Sequence, residues 1–127
     1  MSTQVRAVLF AKHLTTLAAF YHEVFKVRAS QSSAAHVVLN FGGFELMIQQ
    51  IPPHLAGDIT IDRPPRRREQ AAIRLNFPLD DIVHARREAA RLGGVIDDEP
   101  PPWATADKLF YLGYDSEGNV FGVSPAS

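Results

Sequence analysis

The chain carries thirteen basic and fourteen acidic side chains, five histidines and no cysteine, and these are the groups available for chemistry. Without cysteine there is no thiolate nucleophile, no disulfide framework and no sulfur-ligated metal. The histidines stand at 13, 22, 36, 54 and 84, and no two of them are four residues apart, so no helix presents a paired imidazole site. Only His36 falls inside a β-prone run where it could turn toward a binding surface. A Gly-rich phosphate loop, a G-x-S-x-G elbow and a Ser-His-Asp order are all missing from the sequence. The basic stretch Arg63 to Arg68 is short, broken by Pro64 and Pro65 and free of aromatics, which predicts a solvated loop rather than a nucleic-acid patch. Phe10, Phe41, Trp103, Phe110 and Tyr111 could line a site for a planar molecule. Trp103 leads this group because it follows Pro100, Pro101 and Pro102 in a loop.

The scaffold that must position these groups is small. At 127 residues, 46% hydrophobic and 21% charged, the chain is expected to form one compact domain with a core of its own. Its net charge of −1 draws it neither to nucleic acid nor to an anionic membrane. Apolar runs fall far short of the roughly 18 residues that span a bilayer, and no basic segment precedes an apolar signal core. A cytoplasmic protein with a small-molecule ligand, and with no nucleic-acid or membrane partner, is therefore expected.

Periodicity divides the chain into two similar halves. Val5 to Ala11 is apolar and β-prone, and from Leu14 the apolar spacing becomes helical through Leu17, Ala18, Tyr21 and Phe25. A short strand around Val27 to Ser32 is expected next, then strands over Ala35 to Phe41 and Phe44 to Gln50 joined at Gly42-Gly43. Residues 51–70 hold four prolines and no period, and read as a linker. Ile73 to Pro78 reads as a strand, and Asp80 or Asp81 can cap a helix carrying Ile82, Ala85, Ala89 and Leu92 on one face before Gly93-Gly94. Val95 opens a strand, Asp97 to Ala104 is a proline-rich loop, and Lys108 to Tyr114 and Val120 to Ser124 form a closing hairpin. The prediction is α+β: module one over about 4–50, a linker over 51–70 and module two over about 71–125, each βαβββ.

A constant offset of 68 superposes the halves, bringing Arg6 onto Arg74, Leu9 onto Phe77, Leu14 onto Ile82 and Val27 onto Val95. Strand alternation then sorts the side chains. Ala7, Leu9 and Ala11 suit packing against the first helix, as Ile73, Leu75 and Phe77 suit the second. The opposite faces carry Arg6, Val8 and Phe10 in one half, and Arg74 and Asn76 in the other. Glu45, Met47 and Gln49 face away from the helix, as do Val120, Gly122 and Ser124. Such mixed polar and apolar faces suit ligand binding better than a plain core.

Paired βαβββ modules with "KHLTTLAAFYHEVF", "FELMI", "LDDIVHARREAARLGG" and "DSEGNVFGV" resemble the vicinal oxygen chelate superfamily, the group of glyoxalase I, bleomycin resistance proteins and extradiol dioxygenases. The resemblance spans nearly the whole chain and implies a curved mixed-sheet cleft and a homodimer. It also implies four metal-ligand positions, falling on Arg6, Glu45, Arg74 and Gly122. Arginine has no lone pair to give and glycine no side chain, so only Glu45 keeps a ligand, and no metal or other cofactor is expected. An ion pair of Glu45 with Arg6 is the expected replacement. Arg74 is left to hold a ligand, and Arg6, Glu45, Arg74, Trp103, Phe10 and Tyr111 form the candidate binding set.

The leading expectation is thus a glyoxalase-like, bleomycin-resistance-type protein that binds a small planar or anionic molecule in a metal-free cleft. The competing readings are a lyase, isomerase or dioxygenase with displaced ligands, Glu45 with His36 among them, and a domain that only assembles with partners.

Overall fold

The structure, a computed structural model, describes residues 4–125 and divides into two units between Thr60 and Ile61. The first contains β1 (Val5–Ala11), α1 (Leu14–Phe25), β2 (Ala29–Ser32), β3 (His36–Asn40), β4 (Phe44–Gln50) and a short α2 (Pro53–Ala56). The second contains β5 (Leu75–Leu79), α3 (Ile82–Arg91), β6 (Val95–Ile96), β7 (Tyr111–Tyr114) and β8 (Val120–Pro125). Each unit has one four-stranded mixed sheet, ordered β1-β4-β3-β2 and β5-β8-β7-β6. The first strand of each unit runs parallel to the last, and the other pairs are antiparallel. The α+β fold and the βαβββ order expected from the sequence are therefore observed, and the strand-to-helix passage repeats at the expected offset, Ala11 to Leu14 matching Leu79 to Ile82.

In the first unit α1 packs on β3 and β4, where Leu39, Leu46 and Ile48 are fully buried with Leu17, Phe20 and Val24 of the helix. Full burial of such side chains contributes about 1.5–3 kcal/mol each before entropy is charged against it. Gln50 stitches the β1–α1 turn. Its Oε1 accepts from Leu14 N–H at 3.1 Å, and its Nε2 donates to the carbonyls of Ala11 and Lys12 at 3.2 and 2.8 Å. It thereby serves a helix start that has no side-chain cap of its own.

In the second unit α3 is capped as expected: Asp81 Oδ1 accepts from His84 N–H at 3.0 Å, and Gly93 ends the helix with φ +91°. Phe77, Phe121 and Val123 are buried with Ala85 and Ala89 of the helix. Pro78 is tolerated because β5 lies at a sheet edge, where no ladder donor is needed on the outer side. The turn after β7 is organised by Asp115, which is fully buried. Its Oδ1 accepts from the backbone N–H of Glu117 at 2.9 Å and of Asn119 at 3.1 Å, and the Asn119 amide donates to the same carboxylate. This aspartate is spent on holding a turn.

Four expectations need correction. Ile73 does not pack on the second helix: β5 begins at Leu75, and Ile73 is 78% exposed beyond its end. The linker is not featureless, since α2 opens on Pro53 and places Ala56 in a buried position. The last hairpin is shorter than expected, β7 beginning at Tyr111 while Lys108 forms an isolated bridge with Thr105. Finally, the basic run is not wholly solvated. Arg67 donates to both Asp97 oxygens at 3.1 and 2.7 Å, lies 3.2 Å from Glu69 and stacks 5.8 Å from the Tyr114 ring centre. Its hydrogen bonds to Asp97 push the guanidinium pKa further up.

Candidate functional site

In the first unit the parallel register sets Arg6 beside Glu45, with Asn40 on the other side of Glu45. Alternation turns all three away from α1. Glu45 is 8% exposed, and Arg6 Nη2 meets its Oε1 at 3.2 Å while Nη1 approaches Met47 Sδ at 3.9 Å. The ion pair expected from the sequence is present. A buried carboxylate needs such a partner, and this one is supplied by the neighbouring strand.

In the second unit the residue paired with Gly122 is Asn76, not Arg74, which precedes the start of β5. Arg74 reaches back: its Nε donates to Asn76 Oδ1 at 3.0 Å, and its guanidinium carbon lies 5.1 Å from the Phe110 ring centre. The Asn76 side chain lies across Gly122 so closely that a Cβ there would stand 2.2 Å from Oδ1. Among the described residues no carboxylate pairs with Arg74. The guanidinium is thus oriented by an amide and a ring, with no counter-charge on it.

The other candidates are scattered within their units. Phe10 is 58% exposed on the Arg6 face of β1, four residues from Arg6 and so about 13 Å along the strand. Tyr111 turns out to face the helix side of the second sheet, its ring 4.8 Å beneath the Arg86 guanidinium of α3. The expectation that it lines the opposite face fails because β7 is in register with Val123 at that position, on the core side. Phe41 is likewise turned to the helix of its own unit, against Phe25 at 6.3 Å. Trp103 is 65% exposed at the rim of an open hollow of about 500 Å³ walled by Arg67, Asp97, Pro101 and Leu112.

These residues do not fit a divalent ion. Arg6 and Arg74 are donors only, Gly122 offers no atom, Asn76 Oδ1 is engaged by Arg74, and Glu45 is engaged by Arg6. His36 is engaged elsewhere: it pairs with Gln49, four residues or about 13 Å of strand from Glu45, and its Nδ1 lies 3.4 Å from Ser33 Oγ, while Glu45 is held by Arg6. Among the described residues no three His, Asp or Glu side chains converge. Sequence reasoning passed over Asn76 as a partner of Arg74. The signal was their two-residue spacing at the start of a strand, opposite a glycine in the parallel strand.

Comparison with known proteins bears on what this arrangement serves. Residues 6–124 match the family model described as a glyoxalase-like domain. Among curated protein sequences none matches. Similar solved structures include an integron cassette protein from the mobile metagenome of V. cholerae, at 21% identity over 100% of this chain and 97% of that one, with a TM-score of 0.62. A glyoxalase/bleomycin resistance protein/dioxygenase family enzyme from Burkholderia phytofirmans PsJN is 19% identical over 96% and 97%, with a TM-score of 0.67. The fosfomycin resistance protein FosX from Listeria monocytogenes is 15% identical over 100% and 93%, with a TM-score of 0.66. At these identities the likeness is one of fold.

Proposed function

Because the chain belongs to the glyoxalase-like domain family, we propose that it binds a small anionic or planar organic molecule, with Arg74 as the anchoring charge and without a resident metal ion. The observation that carries this reading is the Arg74 guanidinium, held by Asn76 and Phe110 and paired with no carboxylate among the described residues. An arginine fixed in this way has lost rotamer freedom before a ligand arrives, so less affinity is spent on ordering it. Glu45 is a poor candidate for a general base, since it is occupied by Arg6. Among the described residues no three His, Asp or Glu side chains converge, and Glu45 and His36 are each engaged by other partners, which favours the metal-free reading over one with displaced ligands. The work is then capture of an intact molecule.

The test is a thermal-shift panel of small organic acids against matched amines, on the wild-type chain and on Arg74→Ala. A ligand at a hundredfold excess over its Kd stabilises by about 2.7 kcal/mol, a readily measured rise in Tm. Acids should raise the wild-type Tm and leave Arg74→Ala unmoved. Equal shifts in both proteins would overturn the assignment of Arg74, and a metal held at one per chain after purification would overturn the metal-free reading. The same family implies a homodimer, which sedimentation of the purified chain would test.

A further inference from the structure

We infer that Arg74 and Asn76, seated over Gly122, form a composite fork for the carboxylate of a small organic acid, and that Gly122 is the positioning residue that keeps the fork assembled. This rests on the reading above and narrows it to a ligand class.

The argument starts with hydrogen-bond inventory. Arg74 Nε donates to Asn76 Oδ1, which fixes the amide by its oxygen and leaves its NH₂ group to donate elsewhere. Neither that NH₂ nor the Nη1 and Nη2 groups of Arg74 has a partner among the described residues. What remains is an array of N–H donors on three nitrogens, against one spare lone pair on Asn76 Oδ1. Such an array binds a group that only accepts. The local charge is that of one guanidinium, for Asn76, Gly122 and Phe110 bring none, so a single negative charge is matched and a double one is not. Phe110 covers one guanidinium face at 5.1 Å, leaving the edge for approach. Edge-on pairing of two parallel N–H groups with two coplanar oxygens is the geometry of a carboxylate.

Gly122 explains why the fork holds together. Its φ is not in the left-handed region, so the backbone does not require glycine there. Space does: a Cβ would stand 2.2 Å from Asn76 Oδ1, 3.1 Å from its Cγ and 3.5 Å from Arg74 Nε. The atoms in the way belong to the end of a flexible side chain rather than to backbone. A side chain at 122 therefore expels Asn76 from Arg74 while leaving β8 in its sheet.

The experiment is an NMR titration of the full chain with benzoate as probe, following the Arg74 Nε–H and the Asn76 side-chain amide. Benzoate should move both signals saturably in the wild type and should not bind Arg74→Ala. Gly122→Ala and Asn76→Ala should each weaken benzoate about tenfold, the order of one lost charge-assisted hydrogen bond. The double variant should be no weaker than either single one, because Gly122 acts through Asn76. Should Gly122→Ala not fold, Asn76→Ala and the conservative Arg74→Lys carry the test, the lysine lacking the paired edge. Wild-type affinity in Gly122→Ala with binding lost in Arg74→Ala would overturn the positioning role and leave Arg74 as the anchor. Tighter binding of phenylphosphonate than of benzoate would overturn the carboxylate class, and unchanged binding in Arg74→Ala would overturn both readings.

Discussion

Gly118 is where a single methyl group should cost the second unit most. Its φ is +88°, and a Cβ built on it would lie 2.1 Å from the carbonyl oxygen of Arg66 and 3.1 Å from the carbonyl carbon. Alanine in that conformation costs about 1–2 kcal/mol on its own. The obstructing atoms are backbone, so the Arg66 carbonyl must retreat by more than 1 Å to reach an ordinary contact of about 3.5 Å. Retreat opens the Arg68 N–H to Gly118 carbonyl bond of 2.9 Å, worth about 1 kcal/mol. It also slackens the neighbouring Arg67 clamp on Asp97, worth about 1.5 kcal/mol after discounting for side chains that are 24% and 32% exposed. The stiffer unfolded chain returns about 0.5 kcal/mol. Gly118→Ala should therefore destabilise by about 3–4 kcal/mol, a drop in Tm of about 12–15 °C for a chain of this size. Far-UV circular dichroism against temperature, with urea midpoints alongside, reads this directly. Since Gly118 and Arg67 hold the same stretch of linker, Arg67→Ala combined with Gly118→Ala should cost about 1 kcal/mol less than the two separately. A Tm within about 3 °C of the parent, or strict additivity in the double variant, would refute the reasoning.

Gly113→Ala should destabilise by about 2–3 kcal/mol, read as a lower urea midpoint, because its Cβ would meet the Val95 carbonyl oxygen at 2.5 Å and the Phe121 ring at 2.9 Å. Arg6→Ala should cost about 1 kcal/mol, modest because Arg6 is 41% exposed, and adding Glu45→Gln should recover part of the loss in thermal melts by removing the stranded charge. Arg91 donates two hydrogen bonds to the Glu88 carboxylate at 2.9 and 3.0 Å and holds its pKa below the ordinary 4.5. A depressed carboxylate stabilises the fold in full above its ordinary pKa and ceases to do so as pH falls through the lowered value. In Arg91→Ala the Glu88 midpoint, followed by NMR titration, should move up toward 4.5.

The elements of this protein can be read from its sequence because each obeys one dominant local rule. Leu14, Leu17 and Tyr21 share a helical face and are buried there, and of the two aspartates that could cap the second long helix Asp81 does so. The Arg6–Glu45 pair was implied by the family resemblance, which puts both residues at ligand positions, and the parallel register of β1 with β4 sets them side by side. Element boundaries slipped locally by two or three residues, whereas the failures at the side chains involve partners distant in sequence. Nothing near Arg67 reveals that Asp97, thirty residues on, will pair with it and draw one arginine of the run out of solvent. Tyr111 joins the candidate set only as one of several aromatics, because without the register of β7 on β8 the sequence does not say which face of the sheet its ring takes. The Arg74–Asn76–Gly122 contact was half visible. Arg74 and Asn76 stand two residues apart in the sequence, but the packing of an amide over a glycine on a neighbouring strand is a tertiary fact.

Asp97 has a consequence for how this molecule can change. Its N–H reaches the Leu112 carbonyl at 2.8 Å, its own carbonyl accepts from Arg86 at 2.9 Å, and its carboxylate is gripped by Arg67. Linker, helix and sheet are thus tied to the one residue from which the stretch over 98–104 departs. The bonds that secure this root are made by Asp97 itself, so they do not depend on the side chains of the stretch that follows. Substitution of the exposed Trp103 by alanine should accordingly leave the melting temperature close to that of the parent chain.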